Sequence, residues 1–158
     1  MLNEIKTFKN SSFDDHRGSY WTFWEKKNFK KLEFNHDKFS YSVRNVFRGL
    51  HGDKKSHKLV SCVYGKVLLV VVDFDKTSAT YLKFKKFILS RENKIQVLIP
   101  PKFLNGYYCM SKDCLFHCKW SYKGKYPDVK DQLSLKWDTD KINFNWPFKK
   151  PILSQRDR

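Results

Sequence analysis

The stretch that decides the fold is KLVSCVYGKVLLVVVD, which covers residues 58–73. Aliphatic and β-branched residues dominate on both sides of Gly65, and charged residues occur only at the two ends and beside this glycine. Such residues favour extended strands, and a glycine between two apolar runs is typical of a hairpin turn. The stretch therefore predicts a pair of strands inside the core.

Shorter apolar runs follow this pair along the chain, separated by segments rich in Asn, Asp, Lys, Ser and Gly that favour turns. Many short strands at modest spacing are typical of a sandwich or barrel. Only residues 24–34 carry apolar side chains near helical spacing, and they predict one short helix. The apolar runs are Tyr81–Leu89, Ile95–Pro100, Leu115–Tyr122, Leu133–Trp137 and Ile142–Pro147.

The chain has 158 residues, of which 41% are hydrophobic, and this is enough to bury a core. The sequence shows no internal repeat, low-complexity block or flexible linker, so we expect a single domain over residues 1–158. No run approaches the ~20 apolar residues that a membrane-spanning helix needs. The first ten residues also lack the apolar segment of a signal peptide, which favours a cytoplasmic protein with no membrane partner.

Lys and Arg number 32 against 16 Asp and Glu, which gives a formal net charge of +16 and favours an anionic ligand such as a phosphate. Nucleic acid is one interpretation, because lysines contact phosphates and aromatic rings stack on bases. The lysines are spread as doublets through almost every segment, however, and this favours a solvated surface with no nucleic-acid partner. The spacing of the four cysteines, Cys62, Cys109, Cys114 and Cys118, predicts reduced thiols.

Arg48-Gly-Leu-His51 lies shortly before Lys58, so a histidine and two cations fall within eleven positions. A neutral imidazole can accept a proton near pH 7 and the cations suit an anionic substrate, which makes this group a candidate catalytic site. An ordinary surface or core histidine is the alternative interpretation. We expect no metal site, because His57 lies six positions from His51 and no second ligand stands at the usual spacing.

Two further segments have local signals. PPKFLNG, residues 100–106, predicts a rigid turn that leads into a strand. WPFKKPILSQRD, residues 146–157, places an apolar segment before an acidic residue. It predicts either a docked terminus or a carboxylate that returns to the site.

In their order and spacing, these segments resemble the dTDP-4-dehydrorhamnose 3,5-epimerase family, a group of metal-free cupin-type enzymes. The motifs include Arg48-Gly-Leu-His51, Phe103-Leu-Asn-Gly106, Trp146-Pro147 and Leu153–Asp157. The resemblance implies an all-β, cupin-type jelly-roll β-barrel with short peripheral helices. It also implies a domain-swapped homodimer, in which an N-terminal strand crosses to the partner, and no cofactor.

Three segments most resemble a branch of the family that acts on GDP-linked 4-keto-6-deoxyheptoses in the synthesis of bacterial capsule polysaccharides. These segments are His51-Gly-Asp53, Lys58–Gly65 and Asp131-Gln132. The implied substrate is a nucleotide-diphosphate 4-keto sugar, which loses a proton beside its ketone to form an enolate. A full C3/C5 double epimerase, or dTDP-4-dehydrorhamnose 3,5-epimerase itself, is the alternative, and a 3,4-ketoisomerase ranks behind it. A catalytically silent sugar-nucleotide binding module is the non-enzyme alternative.

The resemblance implies a role for each matching residue. His51 matches the base, Asp157 its partner carboxylate, and Lys58 a cation that stabilises the enolate oxygen. Arg48 matches a diphosphate contact and Arg17 a nucleotide contact that is supplied across the dimer. The further residues that we expect at the substrate are Lys38, Asn105 and Lys119.

One departure from the family concerns the acid on the opposite face of the sugar. When the family's lysine is aligned with Lys119, Cys118 stands where the family has a tyrosine, and a shift of two positions places Phe116 there. A thiol is shorter than a phenol and reaches the same point only through water. We therefore expect inversion chiefly at C3, with Cys118, Tyr108 or water returning the proton.

Overall fold

A computed structural model describes residues 2–158 and consists almost entirely of antiparallel strands and loops. The strands in this part of the chain are β1 (Lys6–Lys9), β2 (Ser12–Asp15), β3 (Gly18–Trp21), β4 (His36–Val43), β5 (Phe47–Gly52), β6 (His57–Tyr64), β7 (Lys66–Asp73), β8 (Phe84–Ser90), β9 (Ile95–Ile99), β10 (Phe103–Cys109), β11 (Asp113–Ser121) and β12 (Leu133–Ser134). The expectation of an all-β chain is confirmed.

Two five-stranded sheets pack face to face. The first has the order β1–β9–β6–β11–β4, and the second has the order β12–β5–β10–β7–β8. The buried core between them takes alternate residues from both sheets, such as Val60 and Phe116 from the first and Leu69 and Tyr107 from the second. This alternation is what two packed antiparallel sheets require. The strands β2 and β3 form a separate two-stranded ribbon.

A second apolar cluster covers the outer face of the second sheet. Phe47, Leu50 and Tyr108 point to this side, and the segment after residue 133 lies over them with Trp146 and Phe148. The ring of Phe47 contacts Trp146 at a centroid distance of 4.9 Å, and Tyr108 stacks on Phe148 at 4.4 Å. The run at residues 142–147, predicted as a strand, is therefore an irregular apolar cover, and the run at 133–137 pairs only through β12.

The other predicted runs fall on strands. Residues 58–73 form the hairpin β6–β7, and the three remaining runs fall mainly on β8, β9 and β11. The helix predicted at residues 24–34 is wrong, because only the 3-10 turn Lys26–Phe29 forms there. Phe29 contacts Phe34 and Phe8, and Phe34 also contacts Trp24. These tertiary aromatic contacts fix the segment in a 3-10 turn instead of an α-helix.

The short peripheral helices are 3-10 helices, namely Leu2–Glu4, Lys26–Phe29, Val129–Asp131 and Gln155–Asp157. The four cysteines are free thiols, as predicted. Over residues 2–158, none of the helices has the length and apolar character needed to cross a bilayer.

The β6–β7 hairpin turns at Gly65, whose φ is +73°. A Cβ at this position would lie 2.2 Å from the carbonyl oxygen of Asp113, a backbone atom that cannot move aside. Gly124 has nearly the same φ, +72°, but apart from Gly124 itself and its two chain neighbours no atom of residues 2–158 lies within 4 Å of the corresponding Cβ position. The two glycines therefore separate backbone strain from steric overlap.

We predict that Gly65→Ala lowers the free energy of unfolding by about 3 kcal/mol or more, because it adds a clash to the strain of a positive φ. The matched variant Gly124→Ala pays only the strain, about 1 kcal/mol. Urea denaturation followed by tryptophan fluorescence measures both values. Equal losses in the two variants would contradict the prediction.

Candidate active site

A cavity of about 360 Å³ lies between the two sheets. The first sheet contributes side chains of β4, β6 and β11, and the second contributes those of β5 and β10. The loop before β12 adds Tyr126 and Gln132 at the edge. The lining residues from the strands are Lys38, Ser40, Lys58, Phe116, Cys118 and Trp120 from the first sheet, and Arg48, Gly49, His51, Asn105 and Tyr107 from the second.

A bulge in β5 directs both Arg48 and His51 into this cavity. In a regular strand, residues three positions apart point to opposite faces. Here Arg48 pairs with Tyr107 and His51 with Asn105, so three steps along β5 match two steps along β10. The extra residue lies at Gly49, with φ +131°, where a Cβ would be 2.4 Å from the Cα of Gly106. Only glycine fits between the two strands at this point.

Both ring nitrogens of His51 have partners. Nε2 lies 2.6 Å from Oδ1 of Asp157, and Nδ1 lies 3.0 Å from Oγ of Ser134. The Asp157 side chain is only 5% exposed, against 23% for His51. Burial opposes ionisation of Asp157, but hydrogen bonds from His51 and Ser154 outweigh it and hold the pKa of this carboxyl below its ordinary value. The ionised carboxylate accepts from Nε2–H, which leaves the lone pair on Nδ1.

The C-terminal segment brings Asp157 to this position. Backbone hydrogen bonds join Ile152 to β5, with Phe47 N donating to Ile152 O at 3.1 Å and Ile152 N donating to Asn45 O at 2.8 Å. The 3-10 turn Gln155–Asp157 follows and buries the carboxylate behind His51. The tail is thus a docked terminus that also returns a carboxylate to the site, where it contacts His51 from behind and does not itself line the cavity.

Lys58 reaches the cavity from the central strand of the first sheet and is 5% exposed. Its ammonium lies 3.7 Å from Oδ2 of Asp53, donates to Oδ1 of Asn105 at 3.4 Å, and lies 4.5 Å from the ring centroid of Trp120. Burial lowers the pKa of Lys58, while the negative charge of Asp53 acts in the other direction. The result is a cation held in a poorly solvated space.

Asp53 is itself 2% exposed. Its Oδ1 accepts hydrogen bonds from the backbone N–H groups of Lys55 and Ser56, at 2.9 and 2.7 Å. Its Oδ2 has no hydrogen-bond partner within residues 2–158 and faces Lys58 at a distance longer than a hydrogen bond. Asp53 therefore acts on Lys58 mainly through charge, a role that the sequence motif alone did not reveal.

Two further cations lie on the wall. Arg48 donates from Nε to Oγ of Ser42 at 3.0 Å and from Nη2 to the carbonyl oxygen of Tyr41 at 3.4 Å. A guanidinium has five N–H donors, so these two bonds leave others for an anion. Lys38 donates to the hydroxyl of Tyr126 at 2.7 Å and lies 4.2 Å from that ring's centroid. A cluster of positive charge and aromatic rings thus forms the edge of the cavity.

Cys118 lines the cavity on the first sheet. It is paired with Lys38 of β4 on one side and with Val60 of β6 on the other. Burial raises the pKa of its thiol to about 12, although the charges of Lys58 and Lys38 act in the opposite direction. The thiol is therefore protonated near pH 7, so it has a proton to donate but is a weak acid.

The structure places Tyr108 and Lys119 away from the cavity. Tyr108 lies on the outer face of the second sheet and donates to Oδ1 of Asn45 at 2.6 Å. Lys119 lies on the outer face of the first sheet, where its ammonium contacts Oδ2 of Asp37 at 2.6 Å. The cause is strand alternation, since the neighbouring residues Tyr107 and Cys118 take the inward positions.

Arg17 also lies apart from the cavity within this chain. It belongs to the β2–β3 ribbon, and its guanidinium pairs with Oδ2 of Asp15 at 2.6 Å. The ribbon exposes Phe13 and Tyr20 at 66% and 77% of their surface. Two large aromatic side chains are thus exposed beside Arg17 on the ribbon.

Sequence reasoning missed Tyr107, Trp120, Tyr126, Gln132 and Ser134. The first two could have been found from alternation, because Tyr107 lies two positions after Asn105 on β10 and Trp120 lies two positions after Cys118 on β11. In each pair both side chains face the cavity. Tyr107 stacks on Phe116 at 4.2 Å, and its hydroxyl bonds to Ser40 and Ser42. The others depend on the path of the loop, which local sequence does not determine.

No three His, Cys, Asp or Glu side chains group as a metal site in the described part of the chain. The acid–base pair, the buried ammonium and the cationic edge instead form a site suited to proton transfer beside an anionic group.

A family model described as dTDP-4-dehydrorhamnose 3,5-epimerase matches residues 1–158. A protein of that name from Shigella flexneri is 34% identical over 171 residues, covering 99% of this chain and 93% of its own. One from Salmonella typhimurium is 34% identical over 155 residues, covering 92% of this chain and 82% of its own.

Solved structures agree over almost the whole chain. The dTDP-4-dehydrorhamnose 3,5-epimerase from Bacillus anthracis, with TDP and PPi bound, has a TM-score of 0.91 at 28% identity and covers 98% of this chain and 91% of its own. The dTDP-6-deoxy-D-glucose-3,5-epimerase from Legionella pneumophila, in complex with dTDP-4-keto-L-rhamnose, has a TM-score of 0.91 at 30% identity. It covers 99% of this chain and 86% of its own. The expected cupin-type jelly roll is thereby confirmed.

The lowered pKa of Asp157 predicts a pH-dependent contribution to stability. A carboxyl whose pKa falls on folding stabilises the fold above its ordinary value, 3.8, and this contribution is lost as the pH falls through its folded value. We expect Asp157→Asn to lower the free energy of unfolding by about 1.5 kcal/mol at pH 7 and by less at pH 3.

Urea denaturation at the two pH values measures this difference, and the exposed Asp138→Asn is the matched control. A loss for Asp157→Asn that is the same at pH 3 as at pH 7 would show that the ionised carboxylate does not provide the stabilisation.

Proposed function

The chain belongs to the dTDP-4-dehydrorhamnose 3,5-epimerase family and is a carbohydrate epimerase, and from this premise we propose that its cavity binds a nucleotide-diphosphate 4-keto-6-deoxy sugar. The observation that carries the proposal is the arrangement of His51 and Lys58. The imidazole, held by a buried carboxylate, and the buried ammonium reach the same cavity from opposite sheets.

The first step is removal of a proton from the carbon beside the C4 ketone. The lone pair on Nδ1 of His51 takes this proton, and the imidazolium that forms is stabilised by the carboxylate of Asp157 at Nε2. The electron pair of the broken C–H bond moves onto the ketone oxygen to give an enolate. A proton returned to the opposite face of the same carbon restores the ketone with inverted configuration.

Lys58 is the group that stabilises the enolate oxygen. Its ammonium is a donor in a space where few water molecules compete, so its effect on developing negative charge is larger than in bulk water. Asn105 shares the ammonium through Oδ1 and orients it. Asp53 supplies the negative charge that keeps the buried lysine protonated.

The diphosphate is bound at the cationic edge of the cavity. Arg48 is suited to this role because a guanidinium presents two parallel donors to phosphate oxygens. Lys38 adds a second charge beside Tyr126 and Trp120. This arrangement also disfavours the silent binding module, because such a module needs the cations but not the His51–Asp157 pair.

Among the possible sugar nucleotides, a dTDP-linked 4-keto-6-deoxyhexose is the favoured substrate, with dTDP-4-dehydrorhamnose as the product of inversion at both C3 and C5. The curated relatives are named as dTDP-sugar epimerases, and this favours the dTDP-linked sugar over the GDP-linked heptose. From the sequence alone, the heptose is the main expectation and the dTDP-linked sugar is the alternative. No relative named here supports the heptose branch or a role in capsule synthesis.

Inversion chiefly at C3 is a second candidate outcome, and Cys118 is the observation that favours it. A protonated thiol with a pKa of about 12 lines the first sheet where the resemblance implies a tyrosine. It is both shorter and a weaker acid than a phenol, so proton return through it requires an intervening water. Reprotonation at one of the two carbons is then slow.

The active assembly is a homodimer in this proposal. The outer face of β4 exposes Phe39 and Tyr41, and the β2–β3 ribbon exposes Phe13 and Tyr20. A second copy would cover these rings and would pair the free edge of β4. It would also bring Arg17 of the ribbon to the nucleotide end of its partner's cavity.

We predict that the wild-type protein incorporates deuterium beside the ketone of dTDP-4-keto-6-deoxyglucose in D₂O and that His51→Asn lowers this rate by about 10²- to 10⁴-fold. Proton NMR follows loss of the C3 and C5 signals separately, so the same spectra distinguish double inversion from inversion at C3. Affinity for dTDP is expected to change little, since in this mechanism the His51 ring acts on the sugar and the cationic edge of the cavity binds the diphosphate.

His57→Asn is the matched control, because His57 precedes Lys58 on β6 but does not line the cavity. The GDP-linked sugar is offered in parallel. Undiminished exchange in His51→Asn would mean that another group is the base. No exchange with either sugar nucleotide in the wild type would refute the proposed substrate class.

The dimer proposal predicts complementation between two inactive variants. Arg17→Ala and His51→Asn are each expected to be weakly active, but mixing them after reversible dissociation forms heterodimers in which one site has both residues intact. With equal mixing, half of the dimers are hetero and one site in two is intact, so about a quarter of wild-type activity returns. No recovery in dimers shown to exchange would place Arg17 outside the partner's site.

A further inference from the structure

Ser134 forms a hydrogen bond with the same His51 nitrogen that removes the proton in the proposed mechanism. With Nε2 donating to Asp157 at 2.6 Å, Nδ1 is the only basic position left on the ring, and Oγ of Ser134 lies 3.0 Å from it. A lone pair that accepts a hydroxyl proton cannot at the same moment accept a proton from carbon. The substrate-free site therefore holds its base in an occupied state.

The direction of these hydrogen bonds follows from the donors present. A guanidinium has only donors, so Nη2 of Arg156, 3.2 Å from Oγ of Ser134, donates to that oxygen. The single hydroxyl proton of Ser134 is then free to point at Nδ1. The chain runs from Arg156 through Ser134 to His51, and from His51 to Asp157, and every member is satisfied.

Ser134 is placed where it can leave this position. It belongs to the two-residue edge strand β12, lies directly opposite His51 in register, and is exposed. A serine has three staggered χ1 rotamers, so its oxygen can turn away without movement of the backbone. Arg156 also donates to Oε1 of Gln132 at 3.0 Å, and Gln132 lines the cavity. A ligand that contacts Gln132 can therefore disturb the hydrogen bond that Arg156 donates to Ser134.

We propose that Ser134 caps Nδ1 of His51 in the substrate-free enzyme, that Arg156 holds this cap, and that the substrate must displace the hydroxyl before proton removal. The inference rests on the proposed function, because only a base that acts through Nδ1 has to be uncapped. It assigns Ser134 to positioning and not to the chemical step.

The kinetic consequence has a definite sign. A contact made in the free enzyme and lost with substrate bound raises KM and leaves kcat unchanged. A neutral hydrogen bond contributes modestly, so removing the cap in Ser134→Ala is expected to raise kcat/KM about two- to tenfold, entirely through KM. Ser134→Thr retains the hydroxyl and is expected to stay near the wild-type value.

A spectroscopic measurement tests the cap without any substrate. In ¹⁵N-labelled enzyme, the Nδ1 resonance of His51 is expected to move in Ser134→Ala toward the position of an imidazole nitrogen with a free lone pair, and to return in Ser134→Thr. Lys136→Ala, an exposed residue two positions further on, is the matched control and is expected to leave this resonance unchanged.

The outcomes separate this inference from the proposed function. An unmoved Nδ1 resonance in Ser134→Ala, or a fall in kcat for this variant, would overturn the cap even if the enzyme epimerises its substrate. If the wild type shows no exchange with any 4-keto sugar nucleotide while the resonance moves as expected, the hydrogen bond stands but its displacement by substrate is refuted together with the proposed function.

Discussion

The hydrogen bond between His51 and Asp157 is the interaction on which the rest of the site depends. It joins residues that are 106 positions apart and is 2.6 Å long. A carboxylate can be buried only when donors satisfy it, and an imidazole has a defined basic nitrogen only when the other nitrogen is committed. Each residue thus meets the requirement of the other. The C-terminal segment must therefore reach β5, because only then is the carboxylate of Asp157 satisfied and the basic nitrogen of His51 defined.

The irregular segment after residue 133 meets this requirement, because it connects the sheets to Asp157 and packs along the second sheet. Its aromatic side chains, Trp146 and Phe148, cover the outer face of the second sheet and contact Phe47 at the start of β5. These rings hold the C-terminal segment against the outer face of β5, the strand that carries His51. The backbone hydrogen bonds of Ile152 then place Asp157 next to the His51 ring. Burial of apolar side chains thereby sets the position of one charged group, the carboxylate of Asp157.

Sequence reasoning succeeded where a local pattern decides the structure. The hairpin at Gly65, β9 and β11 follow from composition and turn residues. It failed where distant contacts decide, as in residues 26–29, which tertiary aromatic contacts hold in a 3-10 turn. Within the site, motif resemblance brought His51, Lys58 and Asp157 together. The resemblance did not separate Tyr107 from Tyr108, which only the alternation of side chains along β10 does. The inward residue depends on register, and a shift of one residue exchanges the two faces of a strand.

The two sheets divide the proposed chemistry between them, and this division bears on how stereochemistry can vary. The second sheet carries His51 on a bulge fixed by the close approach of Gly49 to Gly106, so any change there disturbs the strand pairing itself. The first sheet carries Cys118 on a stretch of β11 that pairs without a register shift with both neighbouring strands, so one side chain can replace another there without altering the backbone. In the proposed mechanism, proton removal therefore depends on the backbone geometry of the fold, whereas proton return depends on the side chain at position 118. A thiol at that position leaves the base, the buried ammonium and the anion contacts intact and changes only the reach and acidity of the donor on the opposite face.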